Sequence, residues 1–126
     1  MIGLPIERGG QREEEEIVKF LLEIQDRTRI QCTANIGTFI PKPHTPYQWS
    51  HQLSMEEANR KLDFIHGSLP RGRFKVSTHR PLNSFLEGMM SRGDRRVGDI
   101  ILEAFRRGCR LDAWDDWAKP EIWKAV

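Results

Sequence analysis

This sequence has no apolar run approaching the roughly 18 to 20 residues that a bilayer span requires, which excludes a membrane-spanning helix from its 126 residues. It lacks the basic stretch, apolar segment and small-residue cleavage site of an export leader, so a reducing cytoplasmic setting is expected. Cysteine is scarce. Cys32 and Cys109 stand far apart, form no CxxC pair, and are too few for a zinc or iron–sulfur site of their own. In a cytoplasmic chain a disulfide between them is not expected. No internal repeat or low-complexity linker is present, and Gly (10) and Pro (7) are at ordinary levels. With 38% hydrophobic and 30% charged residues and a mean hydropathy of −0.59, what remains is a globular piece with one modest core, too small for a large multidomain enzyme.

Charge of one sign is also missing overall, since the net charge is only +2, but the balance shifts along the chain. Residues 1–66 carry 8 basic and 10 acidic side chains, and residues 67–126 carry 12 basic and 8 acidic. The excess falls in Arg71, Arg73, Lys75, Arg80, Arg92, Arg95, Arg96, Arg106, Arg107 and Arg110. Such a set can meet phosphate or an acidic partner, or lie along solvated helix faces.

The chain opens on Met1-Ile2-Gly3-Leu4-Pro5, an apolar run ending in a Gly/Pro turn, which reads as the end of a buried strand. Such a strand needs neighbours on both sides, so the sequence is expected to be a fragment. Four glutamates at 13–16 favour a helix's first turn, and Ile17, Val18, Leu21, Leu22 and Ile24 form an apolar stripe, predicting a helix over about residues 12–27 with a solvated acidic start. Ile30, Cys32, Ala34 and Ile36 alternate with Gln31, Thr33 and Asn35, the period of a strand with one apolar and one polar face. Cys32 then belongs to the apolar face as an inert core thiol. Strand, helix, strand is a βαβ unit with parallel strands, so the fold class is α/β. The polar face either lines a barrel interior that meets ligand or is solvated on an edge strand.

Residues 37–50 form a proline- and aromatic-rich loop, expected to be extended and stiff because Pro41, Pro43 and Pro46 cannot feed a helix or a central strand. The carboxyl end of a barrel strand is where active sites of β/α barrels are built. Ser54 and Glu57 make a capping box for a helix with Ala58, Leu62 and Ile65 on its apolar face, ending near Gly67. A short strand follows at 74–79. A third helix is expected from about Ser84 with a capping Glu87 and a stripe of Leu82, Phe85, Leu86, Met89 and Met90, the methionines serving as core filler. Gly93 stops it and Asp94 caps the next helix, with Val97, Ile100, Ile101, Ala104 and Phe105 as its buried face, up to Gly108. Trp114, Trp117 and Trp123 are expected to pin the tail onto the body. The boundary between a first part, 1–50, and a mostly helical extension with one short strand, 51–126, falls after the proline loop.

Met-Ile-Gly-Leu-Pro-(x)-Glu at 1–7, the strand at 30–40, and Phe-Ile-Pro-Lys-Pro-His-Thr-Pro-Tyr-Gln-Trp at 39–49 resemble the closing part of a radical S-adenosylmethionine (SAM) enzyme core. The likeness is to the iron–sulfur oxidoreductases that carry a cobalamin-binding-type domain ahead of the radical SAM domain. Ser77-Thr78-His79, Ser84-Phe85-Leu86-Glu87, Arg92-Gly93-Asp94-Arg95-Arg96 and Gly108-Cys109-Arg110-Leu111-Asp112 resemble that group's C-terminal extension, so the likeness covers nearly the whole chain. It implies the last two β/α units, with the fifth and sixth strands, of a partial (β/α)6 barrel followed by a mostly helical extension. In the parent protein a [4Fe–4S] cluster held by a CxxxCxxC loop cleaves SAM to a 5′-deoxyadenosyl radical, with cobalamin as a possible further cofactor. This chain lacks that loop and is expected to bind none of these alone, nor to be active alone. The missing N-terminal barrel portion is its implied partner. By the same resemblance, Ile2 and Gly3 match the strand element that packs against the SAM adenine, and Phe39, Ile40, Pro41, Lys42 and Pro43 match the segment that closes over adenine and substrate. Glycine at 3 suits either close approach of a ligand or a bare strand-to-helix turn.

His44 and His79, each at a strand end, are the side chains to weigh for proton transfer or ligation, against a structural role for each. A hydrolase built around them finds no partnered nucleophile or metal constellation at recognisable spacing. The alternative from another class is a small basic nucleic-acid or protein interaction module without catalysis, whose phosphate contacts would weaken steeply with salt.

Overall fold

A computed structural model describes residues 1–5, 12–112 and 117–126. The element order is α1 (Glu13–Thr28), β1 (Cys32–Ile36), α2 (Met55–Ser68), β2 (Phe74–Thr78), α3 (Pro81–Arg92), α4 (Val97–Arg106) and α5 (Pro120–Ala125). β1 and β2 pair in parallel, with Cys32 opposite Phe74 and Ile36 opposite Thr78. Segment 1–4 extends the parallel arrangement through a single bridge: Ile2 N–H donates to the Gly37 carbonyl at 2.9 Å, and Phe39 N–H donates to the Ile2 carbonyl at 2.7 Å. Strand-like segment, α1, β1, α2 and β2 thus form two successive β/α crossovers. The second departs from the expectation that the short strand belongs to a separate helical extension, because the alternation of β2 alone does not specify which strand it joins.

The core lies between this sheet and the two crossover helices, with Ile2, Val18, Ile36, Leu62, Ile65, Leu69 and Phe74 at its centre. The period of two in each strand decides the rest. Cys32, Ala34, Ile36, Phe74, Val76 and Thr78 turn inward to varying depth, whereas Gln31, Thr33, Asn35, Lys75 and Ser77 are exposed on the opposite face. Among the described residues no element covers that second face, and no strand other than 37–39 pairs with segment 1–4.

Several local expectations are corrected. The first turn of α1 is not solvated throughout: Glu14 is 2% exposed and Glu13 is half-buried, because Lys61 of α2 reaches both carboxylates. Ile30 lies outside the strand and is exposed, since α1 ends in a left-handed turn at Arg29 and pairing begins at Cys32. The proline loop is not extended beyond residue 42. It coils into turns in which His44 takes φ 60°, Thr45 Oγ1 donates to the Lys42 carbonyl at 2.7 Å, and Gln48 N–H donates to the Thr45 carbonyl at 3.1 Å. α3 begins at Pro81, whose fixed φ suits a first helical position, so Ser84 is a buried interior residue and Glu87 does not cap. Phe85 and Met90 of the expected stripe are exposed. Asp94 does not cap α4; its carboxylate accepts from Arg96 N–H and Nε instead. Of α4's expected buried face only Ala104 is buried, while Ile101 and Phe105 are exposed. Trp117 is exposed and does not pin the tail; Trp123 is half-buried, and Trp114, like Glu7 in the opening motif, lies outside the described residues.

The capping box stands as read: Ser54 Oγ accepts from Glu57 N–H at 3.1 Å and Glu57 Oε2 accepts from Ser54 N–H at 3.0 Å. α4 ends in a Schellman motif, with Cys109 N–H donating to the Ala104 carbonyl and Gly108 N–H to that of Phe105, which buries Cys109 beneath the turn. No helix among the described residues is long and apolar enough to cross a membrane.

Candidate functional site at the carboxyl ends of the parallel strands

Parallel strands deliver their carboxyl ends to one rim, and in α/β sheets that rim is where ligands bind. Here it carries Gly3 after the first segment, Gly37 to Pro43 after β1, and His79 after β2. The bridge from Ile2 to residues 37–39 brings Ile2, Gly3 and Phe39 together. Ile2 and Pro41 are almost wholly buried, Phe39 is buried and meets Tyr47 edge-on with centroids 6.2 Å apart, Ile40 and Lys42 are half-buried, and Pro43 is exposed.

Gly3 adopts φ 82°, and a Cβ there would stand 2.7 Å from Leu53 Cγ. The glycine is therefore required by a left-handed backbone and by Leu53, which fills the space its missing side chain leaves. Its N–H donates to Glu13 Oε2 at 2.7 Å, with Leu4 N–H on Glu13 Oε1 at 3.4 Å. Glu13 shares Lys61 Nζ, 3.6 Å away, with Glu14, whose Oε2 is 2.7 Å from it. Burial pushes the Glu14 carboxyl up, but the Lys61 hydrogen bond, its own backbone N–H, and the charges of Lys61 and Arg60 outweigh this and hold it below the usual carboxylate value. This cluster fixes the turn after Ile2, and its one signal in the sequence is Lys61, a lysine beside Leu62 on the apolar side of α2.

The proline loop is strapped to α3 at both ends. Lys42 pairs with Glu87, Gln52 Nε2 donates to the Ser84 carbonyl at 2.8 Å, and Arg92 donates to the Ser50 carbonyl at 3.0 Å. Between these straps the loop leaves Tyr47 partly exposed and Trp49 90% exposed. His44 is exposed, and its N–H donates to Gln48 Oε1 at 3.3 Å. His79 is exposed beside Gly37, so the two histidines keep to separate elements.

Several of the basic residues are already engaged: Arg96 with Asp94, Arg106 and Arg107 with Glu103, and Arg110 over the Phe105 ring. Among the described residues no group of three or more His, Cys, Asp or Glu side chains could hold a metal. No protein-family model, curated protein or solved structure matches this chain.

Proposed function

We propose that this chain supplies the closing parallel strands of a radical SAM barrel, with Ile2, Gly3 and residues 39–43 forming the wall beside the SAM adenine. The cluster-bearing strands belong to the missing N-terminal barrel portion of the parent protein. The observation that carries the reading is the unfinished sheet. Parallel sheets occur with both faces covered, yet Gln31, Thr33, Asn35, Lys75 and Ser77 make an open face of hydrogen-bonding side chains, as a ligand-facing barrel interior requires.

The residues present do not fit an iron–sulfur cluster. Cys32 is half-buried on β1 and Cys109 is enclosed under the α4 turn, where burial and then the Asp112 charge push its thiol up, away from the thiolate that iron requires. Any cluster, and cobalamin if it takes part, therefore belongs to the parent's other strands. In this reading the chain works in the cytoplasm and contributes the backbone of the rim; since Leu53 fills the space at Gly3, an adenine would meet the Phe39 to Pro43 side. Anaerobic reconstitution of the chain with iron and sulfide, followed by SAM titration read at backbone amides, tests it. The expected result is no cluster chromophore and weak shifts confined to Ile2, Gly3, Phe39, Ile40 and Lys42. A brown chromophore, or shifts that spare those amides, would overturn the reading.

A further inference from the structure

A concavity opens where the rim's His79 meets α3, next to the Lys42–Glu87 pair. It is a cavity of about 560 Å³ whose lining includes His79 at the end of β2, Asn83, Glu87 and Met90 of α3, Asp112 and Trp123. The volume is that of a small-molecule site. Its lining carries two carboxylates, Glu87 and Asp112, and among the described lining residues His79 is the only one whose side chain can carry a positive charge. Lys42 engages one oxygen of Glu87, and Asp112 Oδ1 accepts weakly from Lys119 N–H at 3.3 Å, so each carboxylate keeps accepting capacity. The thioether of Met90 and the indole of Trp123 supply apolar and aromatic surface beside these charges, the pairing that recognises organic cations.

We infer that this cavity binds a small aromatic ammonium compound, its flat ring against Trp123 and Met90 and its ammonium between Glu87 and Asp112. Anionic analogues of the same shape are rejected, because they would set a third negative charge beside two carboxylates. The inference does not rest on the barrel reading, since none of the lining residues belongs to the proposed adenine wall.

The test is a titration of the chain with tryptamine and, in parallel, with indole-3-acetate, which keeps the ring and reverses the charge, both read by amide and indole N–H resonances. Tryptamine is expected to shift Asn83 and the Trp123 indole saturably and to bind at least tenfold tighter than indole-3-acetate. Asp112→Asn should weaken tryptamine at least tenfold with the melting temperature unchanged. Glu87→Gln, which also loosens the Lys42 strap, serves as a second variant with the same expected direction. Equal affinity for the two probes, no saturable shift, or full tryptamine affinity in both variants would overturn the proposal.

Discussion

Lys61 Nζ lies 2.7 Å from Glu14 Oε2, joining two side chains 47 residues apart that are both almost wholly buried. The same ammonium stands 3.6 Å from Glu13, which receives the Gly3 N–H, so one cation organises α1, α2 and the turn after Ile2. Such a pair contributes little net stability compared with an apolar pair of the same volume, because both charges were taken out of water; removing one partner alone is far costlier.

Lys61→Met therefore should destabilise the chain by about 3–5 kcal/mol, the cost of removing one partner of a buried ion pair, with Arg60, 3.7 Å from Glu14 Oε1, as the cation that remains. The double variant Lys61→Met with Glu14→Leu should recover most of that loss. Urea midpoints of the single and double variants check it. If both fell equally, the cost would lie in packing and not in the orphaned charge.

Glu14 also sets a pH dependence. Its carboxyl is held below the ordinary value in the folded state, so the unfolded chain binds the proton more readily and folding loses stability as pH falls. The contribution is fully present above the ordinary carboxylate value and disappears as pH drops through the lower folded value. Urea midpoints measured from neutral to acid pH should fall through that window, and the double variant lacking both charges should show a shallower fall.

Gly3→Ala is expected to cost at least about 1–3 kcal/mol, the range for a non-glycine residue forced into a sparsely populated backbone region, with the contact to Leu53 added to it. Because Leu53 stands in the way, Leu53→Ala should make the second substitution cheaper. The coupling measured in a double-mutant cycle would then be favourable. Additive costs would mean that backbone strain alone governs the position.

The sequence announced elements wherever a local signal was strong: the strand alternation at β1 and β2, the Ser54–Glu57 box and the apolar stripe of α1 all reappear. It was silent where the deciding contact is remote. Lys61 buries Glu14 from another helix, and Leu53 rather than a ligand fills the space at Gly3. α4 misled for a different reason. Its amphipathic pattern names a face that seeks burial, yet Ile101 and Leu102 stay exposed, and so does Phe105, whose ring meets the Arg110 guanidinium. Ile2 and Phe39 meet through the bridge from Ile2 to Thr38, which no local signal specifies, and the cavity at His79 and Trp123 likewise joins residues from β2's end, α3 and the tail that no spacing connects.

The proline loop permits a sharper contrast within one motif. Phe39 is buried and packs edge-on to Tyr47, so Phe39→Ala should cost about 3–5 kcal/mol, as for other buried aromatics. Trp49, ten residues on, is 90% exposed, and Trp49→Ala should stay within about 0.5 kcal/mol of the parent, as exposed positions do. Thermal or urea unfolding of the two variants separates them. A large loss from Trp49→Ala would show that its indole packs against this chain after all. A neutral result would show that the indole adds nothing to the stability of this chain, so that the Lys42, Gln52 and Arg92 straps on either side, and not Trp49, hold this part of the loop.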